Sequence, residues 1–216
     1  MSNQEALPIV LIGGGGHASV LADILLRQGR EIAAVISPDD LGSRNVFDGI
    51  AQLKQDSDIT QFVPDKVNLV MGMGILPKSN IREHIANYFL ELGYRFESVI
   101  ADSVILSPFA ELEDGVQLLE NAVVQAGTKI GALSIVNSST LVEHDCQIGA
   151  HNHIAPRATL CGQVTTGKGV YIGANATVIQ SLEFGDDVIV GAGAVVTQSL
   201  DARSICYPAR SIVKPY

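Results

Sequence analysis

The chain has 216 residues, 47% hydrophobic and 17% charged, which suits a soluble globular protein with room for one large or two small domains. A net charge of −9 and an isoelectric point near 4.9 exclude a nucleic-acid partner, because neutralising a phosphate backbone needs a basic stripe. No apolar run reaches the ~18 residues of a membrane span, and the opening MSNQEALPIV lacks the basic start and long apolar stretch of a signal peptide, so a cytoplasmic protein with no membrane contact is expected.

Residues 8–12, PIVLI, read as a short buried strand. GGGGHA follows at 13–18, and then the stretch SVLADILLRQG over 19–29 reads as a helix with Gly29 as its carboxyl cap. A second strand is expected over 31–37, leading to Pro38, Asp39 and Asp40, and a third over 67–71, running into Gly72 and Gly74. Residues 80–92 read as an amphipathic helix closed by Gly93. Strands alternating with helices imply a small parallel α/β sheet whose ligand crevice lies at the carboxyl ends of its strands.

The glycine loop lets backbone N–H groups approach a diphosphate at a helix amino end, where the helix dipole favours an anion. Residues 13, 15 and 18 fit GxGxxA, and Asp39 stands about 20 residues further on, where a dinucleotide domain holds ribose hydroxyls. A dinucleotide fold needs two such halves, and the segment before the repeat described next has room for one Rossmann-like half. A nucleotide sugar therefore fits better than NAD, with Gly15, Gly16 and His17 at the phosphates. For Asp39 and Asp40 the competing reading is a solvated turn after Pro38.

From residue 100 the chain repeats every six residues. Ile100, Leu106, Leu112, Leu118, Val124, Ile130, Val136, Val142, Ile148, Ile154 and Leu160 continue through Thr166, Ile172, Val178, Phe184, Val190 and Val196. Only Thr166 in this series is polar. A helix would space apolar residues near 3.6 and a hairpin near 2, so one large apolar anchor per hexad means a short strand and a turn, stacked as a solenoid. Gly after the anchor, as at 131, 149 and 167, is expected to free the backbone at a sharp corner. The expected domains are 1–96, α/β, and 97–216, β-helix with a carboxyl tail. Cys146, Cys161 and Cys206 are odd in number and lack CxxC spacing, so free inert thiols are expected rather than disulfides or a zinc site.

The segments GGGGHA at 13–18, PDD at 38–40, NSSTLVEHDCQIGAHNHIAP at 137–156 and YPAR at 207–210 together resemble the sialic acid O-acetyltransferase and bacillosamine-type sugar N-acetyltransferase family of hexapeptide-repeat acyltransferases. The resemblance spans nearly the whole chain. It implies a left-handed parallel β-helix with three hexads to a turn, and transfer of acetyl from acetyl-CoA to the amine of a UDP-4-amino-4,6-dideoxy sugar for bacterial glycan synthesis. It makes His144 the base, and Asp145, or in its place Glu143, the supporting carboxylate. His153 is then near the acetyl carbonyl, Ala174 and Ala192 lie along the CoA arm, and Gly15, Gly16, His17, Asp39, Asp40 and Gly72 surround the nucleotide sugar. Asp145 stands where the family more often has Glu, and Cys206 where it more often has Gly.

Acetyl transfer needs an amine stripped of its proton as it attacks the thioester, and imidazole titrates close enough to neutrality to take that proton. Two residues past the inward anchor Val142, His144 is expected to point off a prism face, with Asn137 beside Ser138 and Ser139 holding the sugar amine. Direct attack calls for no metal and no covalent intermediate. Flat prism faces bury more when three chains pack around an axis, so a homotrimer is expected. The alternatives are O-acetylation of a sugar hydroxyl, N-acetylation of a GDP-linked amino sugar, an NAD-dependent enzyme, and a nucleotide-sugar-binding solenoid without catalysis.

Overall fold

The computed structural model describes residues 6–42, 44–75 and 77–209, so Arg210 of the YPAR segment lies outside the described residues. The chain divides into two compact units, Met1–Asp102 and Ser103–Tyr216. In the first, β1 (Ile9–Ile12), β2 (Ile32–Ile36), β3 (Ala51–Leu53) and β4 (Asn68–Met71) form a parallel sheet in the order β3-β2-β1-β4. The central strand β1, IVLI, is buried along its whole length, as a strand covered on both faces of a parallel sheet must be. Helices α1 (Gly16–Arg27) and α2 (Ile81–Glu91) complete the unit.

Two features of this unit depart from the sequence reading. Helix α1 begins at Gly16, three residues before the expected start, so His17 and Ala18 belong to its first turn. Glycine and histidine add nothing to an apolar periodicity, which is why the pattern alone starts late. Strand β3 was not expected. Its three residues are exposed or half-buried and sit at the sheet edge, pairing Ala34 with Ala51 and Ile36 with Leu53, too short and too open to leave a hydrophobic signature.

The second unit is a parallel β-helix. Two-residue strands recur every six residues from Ile105–Leu106 to Val195–Val196, and a strand also stands one hexad earlier at Val99–Ile100. Within the unit, each strand pairs in parallel with the strand eighteen residues on, as Val124 with Val142, Val142 with Leu160 and Leu160 with Val178. Three hexads therefore make one coil, and the coil has three faces. The first face carries the strands at 105, 123, 141, 159, 177 and 195. The second carries those at 111, 129, 147, 165 and 183, and the third those at 117, 135, 153, 171 and 189. The repeat does not stop at Val196. Leu200 bridges to Phe184, and Ile205–Cys206 pairs with Ile189–Val190, so a further partial coil follows in which an irregular spacing hides the period.

The second residue of each strand points inward, and every anchor from Leu118 to Val196 is buried. Thr166 obeys the geometry despite its hydroxyl, because Asn152, also fully buried, donates an Nδ2 hydrogen bond to Thr166 Oγ1 at 2.5 Å and accepts from the Val170 amide at 2.6 Å. The interior position two before each anchor is polar at Thr128, Ser134 and Thr140, each donating to a carbonyl fifteen residues on: Glu143 at 2.8 Å, Gly149 at 2.9 Å and Ala155 at 3.1 Å. Cys146 continues this series through a 3.3 Å contact from its Sγ to the Cys161 carbonyl, and burial pushes its thiol pKa up, away from the reactive thiolate.

The glycine after each anchor has a different role from the one expected. The left-handed corner residue comes three after the anchor, at Asp145 (φ 59°), His151 (56°), Arg157 (60°) and Gln163 (64°), and is seldom glycine. At Gly149 a Cβ would meet the Gly167 carbonyl oxygen at 2.3 Å, so glycine there serves the close approach of consecutive coils. Removing the one hydroxyl among the anchors should expose the dependence of the core on its partner. Thr166→Val leaves the buried Asn152 amide without its acceptor and should lower stability by about 1–3 kcal/mol in denaturant titration, whereas Thr166→Val with Asn152→Leu should recover much of that loss.

Candidate active site

Within the first unit, the glycine loop joins β1 to α1. Gly15 is the extended residue preceding α1, and its carbonyl accepts both the Ser19 amide, at 3.0 Å, and the Ser19 hydroxyl, at 3.1 Å. No side chain caps the helix, and the amino end of a helix is where the backbone favours an anion. Around Gly15 and Gly16 the space is open. Gly14 and Gly72, by contrast, are packed: a Cβ at Gly14 would lie 2.3 Å from Leu41, and one at Gly72 would lie 2.8 Å from Ala18 and 2.9 Å from the Gly13 carbonyl oxygen. Gly72 is buried where the end of β4 passes the loop.

Asp39 and Asp40 are exposed in the turn after β2, and Asp40 Oδ1 accepts the Gly42 amide at 3.1 Å. Two residues absent from the sequence reading hold this region. Gln52, on the unexpected β3, donates from Nε2 to the Ser37 carbonyl at 3.0 Å and to the Asp39 carbonyl at 2.6 Å, pinning the turn on both sides of Pro38. Arg82 of α2 is buried and donates from Nε to the Met73 carbonyl at 2.8 Å. Burial pushes its guanidinium down to about 9, which leaves it charged at neutral pH. Gln52 sits in a strand too short to detect. A buried arginine carries no sequence signal, because its type is ordinarily exposed.

In the second unit, His144 and Asp145 form the turn between the first and second faces, so His144 leaves the helix at a corner rather than from the face expected. Its Nδ1 lies 2.8 Å from Asp145 Oδ2, with both side chains more than half exposed. Asp145 is the left-handed corner residue, and its short side chain turns back alongside its own neighbour. Aspartate suffices for the contact, since aspartates tolerate this backbone region and the required reach is a single residue.

His153 and Asn137 lie on the third face. They meet through Nε2 and Nδ2 at 3.1 Å, and the His153 ring stands edge-on to Tyr171 with ring centres 5.2 Å apart. His153 is buried. Ala174 and Ala192 occupy the corner between the third and first faces, one coil apart, and the Gly193 amide donates to the Ala174 carbonyl at 2.8 Å. The helix unit therefore joins His144 to Asp145 and Asn137 to His153, while the two pairs occupy different sides of one prism. An open groove of about 480 Å³ runs over the second face between Glu111, Lys129, Gln147 and Thr165, and none of these site residues lines it. Among the described residues no cluster of three His, Cys, Asp or Glu is placed to hold a metal ion, and no helix is long and apolar enough to cross a membrane.

Residues 8–89 match the family model of the PglD N-terminal domain, and residues 163–198 match that of the hexapeptide repeat of succinyl-transferase. The acetyltransferase domain of PglB from Neisseria gonorrhoeae, solved with acetyl coenzyme A, is 27% identical over 96% of this chain and all of that one, with a TM-score of 0.85. The two matches and this structure agree with the bacillosamine-type hexapeptide acyltransferase family. PerB from Caulobacter crescentus, solved with CoA and GDP-perosamine, is 28% identical over 93% of each chain, with a TM-score of 0.80. WeeI from Acinetobacter baumannii, 21% identical over 93% of this chain and 96% of its own with a TM-score of 0.66, shares the fold. As in the family, the β-helix is left-handed, and the chain is an acyltransferase. Replacing Gln52 by Ala should release the 37–42 turn, seen as faster hydrogen–deuterium exchange at the amides of residues 39–42 and unchanged exchange along β1.

Proposed function

We propose that this acyltransferase moves acetyl from acetyl-CoA to the amine of a nucleotide-linked amino sugar, a UDP-4-amino-4,6-dideoxy sugar, with His144 as general base. The pairing of an exposed imidazole with Asp145 at a turn of the helix, 2.8 Å from Nδ1 to Oδ2, carries the reading. A carboxylate on Nδ1 fixes the proton there and leaves Nε2 as the acceptor. As the sugar nitrogen attacks the thioester carbon, its proton passes to Nε2. The tetrahedral intermediate then collapses with loss of the CoA thiolate, which takes the proton back. No covalent enzyme intermediate is needed. Acetyl-CoA as donor is supported by the matched structures, which cover more than nine-tenths of this chain and were solved with acetyl coenzyme A or CoA.

The α/β unit is assigned the nucleotide diphosphate, with the uncrowded glycines Gly15 and Gly16 and the adjacent His17 toward the phosphates and the pinned turn of Asp39 and Asp40 toward the nucleoside. A homotrimer is supported by the uncharged, exposed outward row of the first face. The outward residues of the first face are Ile105, Val123, Leu141, Thr159, Thr177 and Val195, none charged, with Ile105 and Val195 each 66% exposed. The second face presents Glu111, Lys129 and Glu183 instead. Three first faces turned to a common axis bring the His144 corner of one copy toward the neighbouring copy's corner between third and first faces, which bears Ala174 and Ala192 and adjoins Asn137. The two halves of the site, separated within one chain, then complete each other.

A second reading, a GDP-linked amino sugar, is favoured by the PerB complex. Both are tested by following CoA release from acetyl-CoA with UDP- and GDP-linked 4-amino-4,6-dideoxy sugars. Faster release with the UDP sugar is expected, and His144→Ala should lower kcat by ~10²-fold or more. Release with neither sugar would end the acetyltransferase reading of substrate, and an unimpaired His144→Ala would end its role as base.

A further inference from the structure

The corner that holds His144 and Asp145 is one of a column of corners stacked eighteen residues apart. Below lie Ala126 and Gly127, and above lie Gly162 and Gln163. The Asp145 amide donates to the Ala126 carbonyl at 3.0 Å, and the Gln163 amide donates to the His144 carbonyl at 2.9 Å, so the backbones of the three corners are fixed against one another. Side chains in such a column have nowhere to go but outward or onto the corner above or below.

The His144 imidazole lies across the corner above. A Cβ placed on Gly162 would stand 2.6 Å from His144 Cε1, 2.6 Å from Nε2 and 3.2 Å from Cδ2. On the other side, a Cβ on Gly127 would stand 2.3 Å from Asp145 Oδ1. Both members of the pair thus occupy space that exists only because their column neighbours are glycines. The two glycines differ in kind. Gly127 has φ +75° and suits the corner's left-handed backbone whatever its neighbour, whereas Gly162 is outside the left-handed region and its backbone admits any residue. The absence of a side chain at 162 is required by the imidazole, not by the turn.

We propose that Gly162 is a positioning residue for His144. Its bare Cα is the seat on which the imidazole lies with Nδ1 toward Asp145, and it keeps Nε2, the nitrogen that receives the substrate proton, clear of a methyl group. This rests on His144 being the base. The atoms a Cβ would meet belong to a side chain, so a substitution turns the ring rather than unstacking the coil, and the fold stays while the geometry of proton transfer is lost. A displacement of this size at a reacting group is worth about ten- to a hundredfold in rate.

The test is a double-mutant cycle on full-length protein with acetyl-CoA and whichever amino-sugar nucleotide is turned over. Gly162→Ala should lower kcat by about ten- to a hundredfold in the wild-type background and should cause no further loss in the His144→Ala background, where no ring remains to be displaced. A loss of equal size in both backgrounds, or none in the wild type, overturns the proposal, while a fully active His144→Ala overturns the base itself and is read separately. Should Gly162→Ala melt below the assay temperature, the double variant must regain the melting temperature of His144→Ala alone. If it does not, the glycine serves the coil and the proposal fails.

Discussion

The rest of the second unit depends on the hydrogen bonds between consecutive coils, which run from each strand to the one eighteen residues on. Two-residue strands are far too short to be stable in isolation. What holds them is that each backbone group finds its partner on the coil above or below, and each anchor stacks on the anchor eighteen residues away. Once that register is set, little freedom is left. The interior must be filled by a column of branched aliphatic residues, hydroxyls inside must find carbonyls fifteen residues away, and any corner side chain is placed against the corners one coil away. The placement of the His144 imidazole is a consequence of this stacking as much as of the histidine itself.

Much of the helix was legible because its period is in the sequence. Burial of a residue such as Val142 or Ile172 follows from its place in the series, and even Thr166, the polar exception, was marked out by position before its partner was known. That partner was not legible, because Asn152 belongs to no repeating pattern and meets Thr166 only in the folded coil. The glycines after the anchors were visible but misread, since a sequence shows that a side chain is missing and not what would have occupied its place. At Gly149 the occupant is the backbone of the next coil. The coil beyond Val196 escaped notice for a simpler reason: between Val196 and Cys206 the spacing breaks, and period was the only signal.

In the α/β unit the glycine loop and the turn of the paired aspartates could be read from residue types and spacing. The parts that steady them could not. Gln52 reaches back across the sheet edge to two carbonyls, and Arg82 is drawn inside to a carbonyl just past β4, contacts that join distant points in the sequence and involve residue types usually found in water. The His144–Asp145 pair was legible as an adjacency in sequence, yet its position was not. Counting residues from the anchor suggested a face, and the true placement at a corner is what sets the imidazole beside Gly162 rather than beside the exposed row of the first face.

Because position in the helix is fixed modulo eighteen, a residue number is also an address. Residues 126, 144, 162 and 180 form one vertical file, whose side chains in order are a methyl, an imidazole, nothing and the carboxamide of Gln180. A single inserted or deleted residue upstream would shift every later residue into a different file, exchanging interior for exterior along the remaining length. Substitution within a file is tolerable, and so is a loop that leaves and returns at one corner, but a slip is not. A helix built this way diversifies by changing what occupies fixed addresses, and the imidazole at 144 and the gap at 162 change meaning only together.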